Sequence, residues 1–141
     1  MVDHANAHHA GNGVKFEKME IGKPLPDHYI GAFDHVFSFF CYHWIPDHKV
    51  AFSQTYDMLT DGGECLLLMV ANFPIVYDVY RWFSRSKRWS KYVYDLDPLT
   101  SPYHDCEDPE KKLRKFAEEA GFKDIHVKNT KSTYTYASEQ D

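Results

Sequence analysis

Tyr42-His43-Trp44-Ile45-Pro46 puts a phenol, an imidazole and an indole directly after an apolar run, Phe33 to Phe40. An imidazole can give or take a proton near neutral pH, whereas an indole N–H only donates, which suits an anion. Other reactive side chains are scattered. His4 and His8 lie four apart on one helical face with His9 beside them, but a zinc site needs three or four convergent ligands and no further ones are obvious. His104 and Cys106 supply two ligands on a Pro-containing loop, again too few, so no metal site is expected. Ser38 falls within an apolar strand rather than a GxSxG elbow, and neither a GxGxxG loop nor a P-loop occurs. No nucleophile–base pair stands out, which leaves the His43–Trp44 pair as the leading functional feature.

The elements around that pair follow from apolar spacing. Phe33 to Phe39 is apolar at most positions and rich in aromatic residues, which predicts a strand covered on both faces, as in a parallel sheet. Ligands of open α/β sheets sit beyond the carboxyl ends of the strands, where His43 and Trp44 would fall. Asp47 is suited to cap a helix over Lys49 to Leu59, with Asp61-Gly62-Gly63 as its stop. Glu64 to Ala71 reads as a second buried strand, completing a βαβ crossover. Upstream, Asp3 to Ala10 predicts a short helix, and the alternation of Val14 to Ile21 predicts a strand. Downstream, Asp108-Pro109 opens a helix carrying Leu113, Phe116, Ala117 and Ala120, which Gly121 ends. Phe122 to Lys128 and Thr130 to Tyr136 are expected as two further strands.

The chain of 141 residues suits one domain with a real core, and 43% hydrophobic with 26% charged residues is ordinary for a globular protein. Aromatic residues reach 16%, enough for an aromatic core or for a pocket that takes a large apolar ligand. A net charge of −5 argues against non-specific nucleic-acid binding. Three scattered cysteines form no framework, so a reducing, cytoplasmic setting is expected. No apolar run approaches the roughly 20 residues that span a bilayer, and the polar, His-rich N-terminus is no secretory signal. Residues 72–94 change character, and Asp95 to Glu107 follows as a Pro-containing loop. Asn72 and Pro74 are suited to start a helix bearing Ile75, Val76, Val79, Tyr80, Trp82 and Phe83. Arg81, Arg85, Lys87, Arg88 and Lys91 then interleave with Trp89, Tyr92 and Tyr94. This segment reads either as an amphipathic helix pair with a solvated basic face or as an aromatic lid whose cations attract an acidic ligand, with a membrane-surface helix as a third reading.

Phe33-Asp34-His35-Val36-Phe37-Ser38, His43-Trp44-Ile45-Pro46-Asp47, Leu59 to Leu67 with its Gly62-Gly63 pair, and the Ala120-Gly121-Phe122 joint together resemble class I S-adenosylmethionine-dependent methyltransferases. The Tyr-His-Trp corner, Asn72-Phe73-Pro74-Ile75 and Ser101-Pro102-Tyr103 are similar to the arthropod juvenile hormone acid methyltransferases in particular. The resemblance runs along most of the chain. It implies an α/β fold: a partial Rossmann-like class I methyltransferase sheet with flanking helices, residues 1–141 forming one partial domain and 72–107 a helical substrate insert after the second buried strand. It also implies that the glycine-rich cofactor loop lies upstream of a segment like Met1-Val2-Asp3, so the chain is expected to be the C-terminal portion of that fold. Exposed sheet edges would then invite association with another chain.

By the same resemblance, Glu20 faces the adenine amino group of S-adenosyl-L-methionine, with Ile21 against the ring. Ser38, Phe39 and Phe40 lie beside the cofactor's methionine part. Trp44 corresponds to the tryptophan whose indole N–H holds a substrate carboxylate, with His43 beside it. Glu20 could instead be a solvated strand-end acid and Trp44 a packing anchor. The implied substrate is a small lipophilic carboxylic acid of the farnesoic or juvenile hormone acid kind. Such a carboxylate is already ionised at neutral pH, so methyl transfer needs positioning and water exclusion rather than a general base. No catalytic residue is therefore assigned; for a hydroxyl or amine acceptor, His43 would be the candidate base. The alternative is a non-catalytic remnant that binds a hydrophobic ligand or a partner chain.

Overall fold

A computed structural model describes residues 1–93, 100–133 and 135 of the chain. Its helices are α1 (Val2–His9), α2 (His48–Met58), α3 (Pro74–Arg85) and α4 (Pro109–Ala120), and its two strands are β1 (Phe33–Phe39) and β2 (Leu59–Leu68). Short 3-10 turns occupy Asp27–Tyr29, Tyr42–Trp44 and Ser90–Tyr92. β1 and β2 pair in parallel, with α2 as the crossover between them, so the βαβ unit forms as expected. The result is a partial α/β, Rossmann-like arrangement.

Two helix starts follow directly from their capping residues. Asp47 accepts from the Val50 N–H at 3.1 Å and Asp108 from the Lys111 N–H at 2.9 Å, each satisfying a first-turn donor. α3 differs: Phe73 is its N-cap without a side-chain bond, and Asn72 turns its Oδ1 to His104 instead. α4 ends at Gly121 in the left-handed conformation (φ +105°), where a Cβ would lie 3.1 Å from the Tyr56 ring. Gly121→Ala is therefore expected to cost about 1–2 kcal/mol, from left-handed strain and displacement of Tyr56, read as a lower urea midpoint. An unchanged midpoint would contradict this account of the helix end.

Asp61-Gly62-Gly63 is not a helix stop. α2 ends one residue earlier than the expected Leu59, and the glycines lie inside β2. Phe33 pairs with Leu59 but His35 with Glu64, so the chain bulges over Thr60–Gly63. Gly62 takes φ +79°, and a Cβ on Gly63 would sit 3.0 Å from the Thr60 carbonyl oxygen and 3.1 Å from that of Asp34. The second strand accordingly runs Leu59–Leu68 rather than Glu64 to Ala71.

Two expected strands are absent. Within Val14 to Ile21 the Phe16 backbone is satisfied by one side chain: Asn6 donates to the Phe16 carbonyl at 2.7 Å and accepts from its N–H at 3.0 Å. Across Phe122 to Lys128, α4 takes the part a neighbouring strand would play. Arg114 donates to the Ile125 carbonyl at 2.8 Å, and Glu110 accepts from the Asn129 N–H just beyond. Phe122 and Ile125 instead pack on the core. Residues 130–133 are not strand either, and the rest of the segment expected to alternate to Tyr136 lies largely outside the described residues.

The core lies on one side of the two-stranded sheet. Tyr42, Ala51, Phe52 and Ala117 are buried, with Leu113, Phe116, Phe122 and Ile125 packed around them. Val36, Ser38, Cys65 and Leu67 share the more covered face, while the other face carries Phe37 (64% exposed), Phe39 (56%), Leu66 (55%) and Leu68 (49%). The expectation of strands buried on both faces is thus corrected. An apolar run on both faces records two faces fit for burial, but only one is covered here. Among the described residues, no helix is long and apolar enough to cross a membrane.

Candidate functional site

β1 runs into Phe40, whose φ of +55° is uncommon for a residue with a bulky side chain. Its N–H still donates to the Leu68 carbonyl at 2.8 Å, so the sheet ladder extends to the bend. This left-handed residue turns the chain into the Tyr42–Trp44 turn, the expected corner at the strand's carboxyl end.

The three corner residues have separate roles. Tyr42 is 3% exposed; its hydroxyl bonds the Thr55 hydroxyl, which donates to the Ala51 carbonyl at 2.8 Å, and burial pushes the phenol's pKa up to about 12. It is a structural anchor. His43, 5% exposed, accepts the Val70 N–H on Nδ1 at 3.3 Å, which ties the corner to the end of β2 and leaves the ring hydrogen on Nε2. Burial lowers its pKa, so the neutral donor form is favoured. Trp44 is 51% exposed and stacked obliquely on His43, with ring centroids 4.8 Å apart.

Behind the corner, His48 fastens α2 to the Ser101–Tyr103 segment. Its Nε2–H donates to the Tyr42 carbonyl at 2.9 Å, and its Nδ1 accepts from the Tyr103 hydroxyl at 2.6 Å. Burial holds the His48 pKa down and pushes that of Tyr103 up. The unfolded chain takes up a proton on this histidine near pH 6.5, while the folded chain does so only at lower pH, so acid favours unfolding. The melting temperature is expected to be level from pH 8 to 7 and to fall between pH 6.5 and 5. A level profile down to pH 5 would contradict the buried neutral His48.

His43, Trp44, Ile45 and Pro46 form one wall of a cavity of about 690 Å³. Arg81, Ser84 and Arg85 of α3, Ser101, Pro102 and Asp105 of a later loop, and Lys112 of α4 also line it. Arg81 grips Asp105 through both guanidinium nitrogens, one at 3.1 Å, and this contact holds the Asp105 carboxyl below its usual range. His104, next to Asp105, is bound to Asn72 at 2.6 Å. The loop is thus pinned to the start and the middle of α3. Among the described residues, three cations against one carboxylate, with a half-exposed indole and two prolines, suit an anion with an apolar body.

The structure therefore brings His43 and Trp44 together with α3, the first helix expected within residues 72–107. Its expected second helix is only the Ser90–Tyr92 turn, and the segment around Asp95 lies outside the described residues. Arg81, Asp105 and Lys112 join the site although sequence reading gave them no individual role. The clue to Arg81 was its place on the basic insert; Asp105 and Lys112 carried no local signal.

The remaining five residues lie outside the lining of this cavity. Glu20 is exposed and pairs with Lys23 at 2.7 Å, which lowers its pKa, and Ile21 packs toward the core. Their loop is held by Gln54, which accepts from the Gly22 N–H at 2.7 Å and donates to the Lys23 carbonyl. Ser38, Phe39 and Phe40 are at the end of β1, and none of the five lines the large cavity. Glu20 can accept from an amino group, and the exposed Phe39 and Phe40 offer apolar surface. Among the described residues, no cluster of three or more His, Cys, Asp or Glu is placed to hold a metal ion.

Residues 1–67 match the methyltransferase-domain family. The chain is 41% identical over 136 residues to juvenile hormone acid O-methyltransferase of Bombyx mori, covering 96% of this chain and 49% of that protein. The chain is thus similar to a methyltransferase domain over its first 67 residues and to a juvenile hormone acid O-methyltransferase along nearly all of its length. A Drosophila melanogaster juvenile hormone acid O-methyltransferase is 32% identical over 139 residues, covering 96% of this chain and 46% of that relative. The chain thus spans about half the length of the curated relatives it matches. Methyltransferase domains of this kind use, in general, S-adenosylmethionine as methyl donor.

Proposed function

We propose that this chain supplies the acceptor side of a carboxyl O-methyl transfer to a lipophilic acid of the juvenile hormone acid or farnesoic acid kind. The observation that carries the reading is the cavity itself. The Trp44 indole, a pure donor, shares it with neutral His43 and an excess of cations. The family's donor offers an electrophilic methyl group to an already ionised carboxylate, so the chain's own task is to hold the acid. In this reading the Trp44 N–H and the His43 Nε2–H bind carboxylate oxygens, and neither removes a proton. Glu20, Ile21, Ser38, Phe39 and Phe40 are the proposed cofactor contacts, in keeping with their family resemblance. Residues 72–107 act as the substrate insert of one domain over 1–141. The three cysteines are free, which suits the proposed cytoplasmic location.

Calorimetry with S-adenosylmethionine up to millimolar concentration, followed by product analysis with the acid present, tests the transfer. The expected result is a weak, saturable heat and a labelled methyl ester. Acid binding with no cofactor heat would sink transfer by this chain. It would favour a second reading, a binding module for a hydrophobic ligand or partner chain, which the exposed Phe37, Phe39, Leu66 and Leu68 face also supports.

A further inference from the structure

Among the described residues, three cations line the Trp44 cavity, and they are not equivalent. Arg81 is engaged by the Asp105 carboxylate through both nitrogens. Lys112 donates its Nζ to the Pro102 carbonyl at 2.9 Å and sits 5.3 Å from the centre of the Tyr103 ring. Arg85 stands four residues beyond Arg81 on α3, hence on the same face of the helix, and no hydrogen bond or ion pair engages it among the described residues. Among the described residues, the one carboxylate that lines the cavity is already engaged by Arg81. Among the described residues, the free fork of N–H donors lining this space is therefore that of Arg85.

We propose that Arg85 is the specificity-determining residue that makes this cavity choose an ionised carboxylate over the neutral ester formed from it. The inference rests on the acceptor-site reading above. Arg81 and Asp105 act as positioning residues: their pairing fixes α3 against the loop and keeps Arg85 one turn away, at the cavity. Conversion of acid to ester removes the anion that Arg85 holds, so the site retains substrate and releases product.

Titration of the full chain with farnesoic acid and with its methyl ester, followed by tryptophan fluorescence, tests this assignment. The wild type is expected to bind the acid at least about tenfold more tightly than the ester, and Arg85→Gln to lose about tenfold in acid affinity with ester affinity unchanged, the scale of one charge-assisted contact. Arg85→Lys is expected to restore part of the preference, and Lys87→Gln, outside the cavity lining, to leave it intact. Arg85 also ends α3, where a cation favours the helix dipole; that role would change the melting temperature and leave the acid-to-ester ratio alone. A full preference in Arg85→Gln, or an equal loss in Lys87→Gln, overturns the assignment while the acceptor reading stands. Equal binding of acid and ester by the wild type removes the acceptor reading itself, and the assignment with it.

Discussion

Phe52→Ala is expected to lower the folding free energy by about 3–5 kcal/mol, the usual cost of emptying a buried aromatic site. Phe52 is 2% exposed and is the hub of the aromatic core: Tyr42 meets it edge-on at 5.5 Å, Phe116 stacks on it at 6.3 Å and Phe122 meets it edge-on at 6.5 Å. Its removal separates α2 from α4 and from the corner together. Domains are stable by only about 5–15 kcal/mol, so the variant should be largely unfolded at modest urea. Phe37→Ala, on the uncovered face, is expected to change stability by less than about 0.5 kcal/mol. Similar urea midpoints for the two variants would contradict a core confined to one side of the sheet.

Trp44→Phe should reduce acid affinity about tenfold or more with the fold intact. The indole is half-exposed, and phenylalanine keeps most of its apolar contact while removing the single N–H donor. A hydrogen bond to a charged partner is worth about 1.5–3 kcal/mol, which sets the size of the loss. His43→Ala should behave differently. It removes the acceptor of the Val70 N–H as well as a buried ring, so stability falls along with affinity. Titration calorimetry with the acid, paired with melting curves, separates the two residues. Full acid affinity in Trp44→Phe would remove the indole from the site.

The capped helices and the apolar β1 and β2 were legible because their signals are local. Asp47 and Asp108 each meet an N–H three residues on, and α2 joins two strands that pair in parallel. The corner was legible for the same reason, since Tyr42, His43 and Trp44 are adjacent in sequence. Where prediction failed, the deciding partner was remote. Alternation in Val14 to Ile21 says nothing of Asn6 claiming the Phe16 backbone, and that in Phe122 to Lys128 says nothing of Arg114 reaching the Ile125 carbonyl. Gly62 and Gly63 suit a helix stop and a bulge equally; the register between Phe33 and His35 decides for the bulge. Asp105 and Lys112 enter the cavity only through the packing of the 101–106 loop between α3 and α4, which no spacing rule encodes.

Central to the proposed function is a carboxylate held by the Trp44 indole N–H. A ¹⁵N–¹H spectrum resolves the indole signals of the three tryptophans, Trp44, Trp82 and Trp89, and reads that contact directly. Addition of juvenile hormone acid is expected to move the Trp44 indole proton downfield in a saturable manner, and its methyl ester to produce a much smaller shift. An unmoved Trp44 signal while the acid shifts Trp82 or Trp89 would contradict the account.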